Sequence, residues 1–533
     1  MKKETLYLLP AVVASCATTV VMPLKSVAQP LSADKPNVIF IYADDMGRGM
    51  LSAYGQKQLT TPNIDRLIAQ GTSFDRAYSS MVSAAARASL LTGYHDCRMA
   101  QNDKWRISTG RQFLNNNIYS ESGDSLCPEK LPSILQRIDK QDVHLPAGDL
   151  YLPQVFKAAG YVTAEIGKCE WGWTATPKQM IDHGWDYYYG YLEHGRCHGF
   201  YPPFLFENGN LVQIKGNTHN DCGKTGEWET QATYNARWDM TGKKVYVQTL
   251  FEEKIKKFIQ ANKNHPFFLF HPTTLPHGPV MVPAVDPEVA NNPNLTQIEK
   301  EYASMIKLLD DQVGMILEEV RKAGIENRTI IIFSSDNGHE IYYSQEGRIN
   351  KQYSDTQGKK FDNIDYKYRA DLAGDIFRGN EDFAGLKRSN LEGGIHVPLV
   401  FYGTGIPRGK VRHDIVVNYD LLPTFAEMLG VTLPIKKSGT SILKVIKKGR
   451  HLTQERDIFF ASYNGSGGGA AMIESDGWKI RRTNRNTTEL YNLNIDPYET
   501  DECGARYPAR LKAMEEKLYQ ECHGNWDNGY CGY

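Results

Sequence analysis

The sequence predicts an α/β fold, with a large, mixed but mostly parallel sheet sandwiched by helices and a smaller C-terminal α+β domain on an antiparallel sheet. Three observations predict it. Short runs rich in Val, Ile and Phe recur along the chain and alternate with segments whose apolar residues fall three and four apart. Acidic, basic or amide side chains stand just after several of those runs. Beyond Ser438-Gly439-Thr440-Ser441 the pattern changes to short strands around a glycine-rich turn, which reads as hairpins.

Taken in order, the expected strands are 38–42, 161–166, 267–270, 330–333 and 399–402, each an apolar run of the kind buried on both faces. Helices are expected at 62–69, which opens on Pro62 and closes at Gly71, and at 302–323, closed by Gly324. A shorter helix follows Ser83, which reads as its N-cap, with Gly93 as the stop. Unpaired backbone N–H groups at such a helix start favour an anion. Segments 95–150 and 185–240 lack strand–helix alternation and are expected to loop over one edge of the sheet. Segments 458–463 and 470–480 flank the glycines of 465–469 as hairpin strands, and 507–522 reads as a closing helix. The expected division is a leader at 1–28, a main domain at 29–445 and a C-terminal subdomain at 446–533.

The chain has 533 residues, and its 61 basic and 62 acidic side chains leave a net charge of −1, so no basic field recruits nucleic acid. Met1-Lys2-Lys3, an apolar stretch over 6–22 and Ser26-Val27-Ala28 form a signal peptide pattern cut after Ala28. Val13-Ala14-Ser15-Cys16 also fits a lipoprotein box, with lipid on Cys16. Either reading exports the protein, to the periplasm or to a lipid anchor, with no transmembrane segment in the mature chain. Nine cysteines are present, eight of them beyond Ala28, and no C-x-x-C pair marks a zinc site. Buried thiols are the expected state, and pairing is left open.

Asp44-Asp45, Lys168, His277 and Asp336-Asn337 follow four different expected strands, directly or after a short loop. Open α/β sheets bind ligands beyond the carboxyl ends of their strands, so these residues should meet at one edge. Asp44, Asp45, Asp336 and Asn337 are hard oxygen donors suited to calcium and less comfortably to magnesium. A histidine in place of Asn337 would have pointed to zinc instead.

Ser83-Ala84-Ala85-Ala86-Arg87, running on to Leu91-Thr92-Gly93, resembles the maturation signature of the formylglycine-dependent type I sulfatases, in the alkaline phosphatase superfamily. The resemblance extends through Tyr42-Ala43-Asp44-Asp45-Met46-Gly47, the Gly160-Tyr161 to Gly167-Lys168 segment, Pro276-His277-Gly278-Pro279 and Ser334-Ser335-Asp336-Asn337-Gly338. Lys387, five residues before Glu392-Gly393-Gly394, and the ending Leu490-Tyr491-Asn492-Leu493 with Asp496-Pro497-Tyr498-Glu499 complete it. It implies that Ser83 is oxidised by a radical-type, oxygen-independent maturation enzyme to 3-oxoalanine, the formylglycine nucleophile. A plain serine would be left sulfated, whereas an aldehyde hydrate can expel sulfate with its second hydroxyl.

The same resemblance implies roles. Calcium would be held by Asp44, Asp45, Asp336, Asn337 and the modified Ser83, acting as Lewis acid and template. Arg87 would orient the hydrate, Lys168 and Lys387 would clamp sulfate oxygens, and His277 would be the general acid for the leaving alkoxide. The substrate class implied is a sulfated saccharide, such as a galactose or N-acetylgalactosamine sulfate. Where the family has histidine two residues after the G-K lysine, this chain has Glu170, the candidate base in its place; His396 stands where arginine is usual and receives no role. Trp171, Trp173, His194, Arg196 and His198 are candidate lining residues. Two alternatives remain: a phosphate or phosphonate ester hydrolase using unmodified Ser83, and a non-catalytic glycan-binding relative.

Overall fold

A computed structural model describes residues 35–98, 131–140, 145–170, 176–192, 196–218, 235, 238–344, 354–452, 455–460, 469–483 and 485–524. The leader, Cys16, Trp171, Trp173, His194 and most of the glycine-rich turn lie outside the described residues.

The strands of the main domain are β1 (Asn37–Ala43), β2 (Thr72–Phe74), β3 (Ala77–Tyr78), β4 (Val162–Lys168), β5 (Tyr187–Tyr191), β6 (Phe204–Glu207), β7 (Asn210–Gln213), β8 (Phe267–Pro272), β9 (Thr329–Ser335), β10 (Leu399–Gly403), β11 (Lys410–Arg412) and β12 (Val416–Val417). Among the described residues, ten of them form one sheet in the order β11-β2-β10-β9-β1-β8-β4-β5-β6-β7, while β3 pairs with β12. The run β9-β1-β8-β4-β5 is parallel, and β10, β6 and β7 enter antiparallel pairs at its flanks. This is the expected mixed, mostly parallel sheet.

Alternation along β1 builds the layers. Ile39, Ile41 and Ala43 pack against helices Pro62–Gln70, Val247–Asn262 and Gln297–Lys322, whereas Val38, Phe40 and Tyr42 pack against Ser83–Thr92, Leu152–Ala158 and Leu421–Leu429. Because both faces are covered, every residue of β1, β8 and β9 is buried, and the sequence shows continuous apolar runs.

Two expectations are corrected. Segment 185–240 contributes β5, β6 and β7 to the sheet instead of looping over it. In β5 the rings of Tyr188 and Tyr189 bury on opposite faces, and Tyr187 donates to Glu207 at 2.7 Å. Aromatic strands of this kind lack the aliphatic run that marks a buried strand. The long helix begins at Gln297 rather than 302, because the Thr296 N–H donates to Glu299 Oε2 at 2.8 Å and ends the loop there.

Beyond the main domain, β13 (Asp457–Phe460), β14 (Ala471–Glu474), β15 (Trp478–Arg482) and β16 (Thr488–Asn492) form an antiparallel sheet in sequence order. One face carries Met472, Ile480 and Leu490 against Met514 and Leu518 of helix Pro508–Glu521. The other packs Ile458, Ile473 and Tyr491 among Met81, Val82 and Ala85, around the start of the Ser83 helix. The C-terminal sheet thus forms part of the wall behind Ser83.

Candidate active site

Register aligns the strand ends. Ala43 lies opposite Ser335, and Tyr42 opposite Pro272, so Asp44-Asp45, Asp336-Asn337 and the loop to His277 leave the sheet side by side. The Asp45 N–H donates to Asp336 Oδ1 at 2.9 Å, and Asn337 Nδ2 donates to Asp45 Oδ1 at 2.7 Å. Gly167 brings β4 close enough to deliver Lys168, since a Cβ there would sit 2.1 Å from Pro272 O at φ +140. Gly338 does the same for the loop after β9, where a Cβ would lie 1.8 Å from Gly393 O.

Ser83 occupies the first turn of its helix, and Val82, extended at φ −146 and ψ 148, is the N-cap. This corrects the expectation that Ser83 caps the helix, and the reason is chemical. Its Oγ donates to Asp44 Oδ1 at 2.9 Å and faces Asn337 Oδ1 at 3.5 Å, so the hydroxyl is drawn to the acids and away from the backbone. Gly93 at φ +74 closes the helix as expected.

Three cations surround the acids. Lys168 Nζ lies 2.8 Å from Asp44 Oδ2, Lys387 Nζ 2.7 Å from Asp45 Oδ2, and Arg87 Nη2 3.1 Å from Asp336 Oδ2. Arg87 Nε and Nη1 are buried donors with no hydrogen-bond partner among the described residues. Lys387 is carried by a loop whose backbone is pinned, its own N–H to His339 O at 3.0 Å and that of Arg388 to Met81 O at 2.8 Å. His277 Nε2 is 3.5 Å from Asp45 Oδ2, and its Nδ1 pairs with Gly278 O at 2.7 Å. A carbonyl only accepts, so Nδ1 carries the proton of the neutral ring. All of these side chains are buried.

Burial alone would raise the Asp44 carboxyl, but Lys168, His277, Arg87 and Lys387 together hold it well below the usual carboxylate range. Asp336 behaves oppositely: burial, then the charges of Asp44 and Asp45, push it up to about 7 against the pull of Arg87. Burial would depress Lys168, yet Asp44 outweighs it and keeps the ammonium charged. Burial, reinforced by Lys387 and Lys168, holds His277 well below its ordinary value. Crowded acids of which one is forced upward fit a hard cation, and the donor set of three carboxylates and an amide oxygen suits calcium chemistry. Atoms of Asp44, Asp45 and His277 already lie within 4.8 Å of one another.

Glu170 sits apart from this group's hydrogen bonds. Its Oε1 accepts from Trp185 Nε1 at 2.6 Å, its Oε2 lies 3.0 Å from His183 Nδ1, and its N–H donates to Glu165 Oε1 at 2.8 Å. His183 in turn stacks on Tyr151 with ring centroids 3.9 Å apart. His396 has a structural place, stacked on Tyr78 at 5.1 Å with Nε2 2.7 Å from Asp75 O. Arg196 and His198 form a buried turn, and the His198 ring stacks on His277 with centroids 4.0 Å apart and planes 7° apart. Sequence reasoning missed Tyr342, whose hydroxyl donates to Asp45 Oδ2 and whose ring lies 5.0 Å from His277. No pattern in the segment after Asn337 marks it.

Comparison with known proteins sets this geometry in context. A family model described as Sulfatase matches residues 36–431, and one described as N-sulphoglucosamine sulphohydrolase, C-terminal, matches 384–523. The N-acetylgalactosamine-6-sulfatase of Homo sapiens is 26% identical over 431 residues, 80% of this chain and 68% of that protein. The N-acetylgalactosamine-6-O-sulfatase of Bacteroides thetaiotaomicron is 25% identical over an alignment of 543 residues, covering 91% and 93% of the two chains. The crystal structure of Ps i-CgsB in complex with k-i-k-neocarrahexaose shares the fold at a TM-score of 0.66 and 24% identity, covering 93% of this chain and 94% of that one.

Proposed function

The chain belongs to the sulfatase family, and on that premise we propose that this sulfuric ester hydrolase is exported and removes sulfate from a hexose such as N-acetylgalactosamine or galactose, with Ser83 oxidised to formylglycine and calcium at the acids. The two N-acetylgalactosamine-6-sulfatase relatives support the sugar, and the signal peptide pattern with its Val13-Ala14-Ser15-Cys16 box supports export, soluble or lipid-anchored. No helix among the described residues is long and apolar enough to cross a membrane. The observation that carries the reading is the buried Ser83 hydroxyl, 2.9 Å from Asp44, with the unpartnered nitrogens of Arg87 on the same helix.

In this reading Asp44, Asp45, Asp336 and Asn337, with the modified Ser83, hold calcium. The ion and the aldehyde hydrate together supply Lewis acidity and a nucleophile that is regenerated after each turnover. The remaining work belongs to the chain's own side chains. Arg87 uses its two spare donors to orient the hydrate. Lys168 and Lys387 exchange part of their contact with Asp44 and Asp45 for non-bridging sulfate oxygens, fixing the ester where charge develops. His277, whose Nδ1 is tied to Gly278 O, turns Nε2 toward the acids, where it serves as the general acid for the leaving oxygen. His198 stacks behind His277 and holds its plane. Glu170, engaged by Trp185 and His183, acts as a positioning residue for the segment after Lys168 and not as a base.

The test is mass analysis of the Ser83 peptide from active, co-matured protein, paired with a sulfate-release screen over positional isomers of sulfated hexoses. A peptide lighter by two hydrogens, or its hydrate, together with release from one isomer is the expected result. An unaltered serine in protein that releases sulfate from no isomer but hydrolyses a phosphate or phosphonate ester would transfer it to that reading, and full sulfate release with an unaltered serine would overturn the formylglycine nucleophile. A modified Ser83 without release from any ester would favour the glycan-binding one.

A further inference from the structure

We propose that Cys97 and Cys522 are joined by a disulfide that fastens helix Pro508–Glu521 to the segment leaving the Ser83 helix. The two residues are 425 positions apart, their sulfurs lie 3.4 Å apart, and both side chains are wholly buried. In the structure both carry thiols. A disulfide needs the sulfurs at about 2.05 Å, so each would move by roughly 0.7 Å.

The surroundings favour the bond. The pair lies among Phe459, Met472, Leu490, Met514 and Leu518, an apolar setting that raises the cost of a buried thiolate. The backbones on either side are already held in register: His95 Nε2 and Glu521 Oε2 stand 3.2 Å apart, one residue or two from each cysteine. Asp96, between His95 and Cys97, accepts from Ser80 and, at 2.6 Å, from Ser89 of the Ser83 helix. A covalent bond here would therefore reach the nucleophile helix through one residue. It would also keep helix Pro508–Glu521 seated on the C-terminal sheet whose far face packs beside Val82 and Ala85.

The chemistry balances simply. Each thiol gives up one hydrogen, the S–S bond forms, and two electrons and two protons pass to the disulfide form of a dithiol oxidoreductase, which is reduced to its dithiol. An exported protein meets such an oxidant, whereas the same pair made in a reducing cytosol would stay as thiols. Cys503 belongs to the same cluster, but its Sγ is turned to Leu490 O at 3.2 Å, and it serves as the internal control.

The experiment is non-reducing peptide mapping of the full-length chain, exported through its own leader, with thiols blocked before digestion. The expected product is a linked pair of peptides containing Cys97 and Cys522, lighter by two hydrogens and separated by reductant, with Cys503 alkylated. Thermal melting then reads the consequence: reductant should lower the wild-type midpoint by about 5 °C and leave Cys522→Ala unmoved. Alkylation of both Cys97 and Cys522 in the exported, unreduced protein overturns the proposal, as does linkage of either to Cys503 or Cys531. The map uses wild-type protein, so it decides the question even where a cysteine variant fails to fold.

Discussion

Replacing Lys479 with Met tests how the C-terminal sheet holds the site. Lys479 Nζ lies 2.9 Å from both Glu392 Oε1 and Glu499 Oε1, and none of the three side chains is more than 2% exposed. Glu392 begins the turn five residues after Lys387, and its N–H donates to Glu499 Oε2 at 2.7 Å. Removing the ammonium strands two buried carboxylates, a change that costs about 3–5 kcal/mol. Acid should reveal the same bridge. Burial would raise Glu392, but Lys479, with His396, lowers it from 4.5 to about 2. A carboxyl lowered by folding stabilises the native state above its unfolded pKa, and that contribution, about 3 kcal/mol, is lost as pH falls from 4.5 to 2. Glu499 is pushed the other way, first by burial and then by Glu392, and offsets part of it. The assay is urea unfolding from pH 7 down to pH 3, with sulfate release measured alongside. Lys479→Met should lose at least 3 kcal/mol at pH 7, flatten the acid limb, and lower kcat/KM about tenfold or more as the Lys387 loop loosens. A loss under about 1 kcal/mol with an unchanged acid limb would refute the reasoning.

Calcium removal by a chelator should abolish sulfate release and lower the melting midpoint, and added calcium at a hundredfold excess over Kd should restore about 2.7 kcal/mol; identical melts with and without chelator would remove the ion from the site. Gly167→Ala should cost at least 2 kcal/mol and reduce kcat/KM, because its Cβ would meet Pro272 O at 2.1 Å and push β4 away from β8 beside Lys168. Glu170→Gln keeps an acceptor for Trp185 and should change kcat/KM by less than tenfold, while Glu170→Ala should lose about 1–3 kcal/mol of stability by leaving the Trp185 N–H unpaired. A fall beyond a hundredfold in Glu170→Gln at an unchanged melting midpoint would return that carboxylate to the chemistry.

The strand-borne part of this site is legible from the chain for a geometric reason. A strand buried on both faces seldom carries charge before its end, Glu165 in β4 being the exception, so Asp44-Asp45, Lys168 and Asp336-Asn337 announce both their strands and their common edge. Lys387 is different. Nothing in its neighbourhood marks it, because its loop takes its shape from partners far along the chain: His339 and Met81 by backbone hydrogen bonds, and the C-terminal sheet through Asn390, whose Oδ1 accepts from Arg481 at 2.7 Å. Only its order relative to the glycines of 393 and 394 points to it. Tyr342 and the stacking of His198 on His277 are hidden for the same reason, since an aromatic side chain in an irregular segment reads alike whether it packs or works.

The charge inventory shows why the buried site depends on what it binds. Asp44, Asp45 and Asp336 face Arg87, Lys168 and Lys387, so the side chains alone come close to neutrality, and with His277 neutral the pocket has little net pull on an anion. The lysines spend their charge on the carboxylates. A divalent ion held by the acids would free Lys168 and Lys387 for sulfate and would leave the pocket net positive. Affinity for the substrate and affinity for the ion are then linked through the same two carboxylates, Asp44 and Asp45. A substitution such as Lys387→Met should therefore weaken sulfate binding and at the same time tighten the ion, because Asp45 Oδ2 loses its competing ammonium at 2.7 Å. Titrating calcium by the melting midpoint in wild type and Lys387→Met separates the two effects; equal calcium affinities in the two proteins would show that the lysine does not compete for the carboxylate.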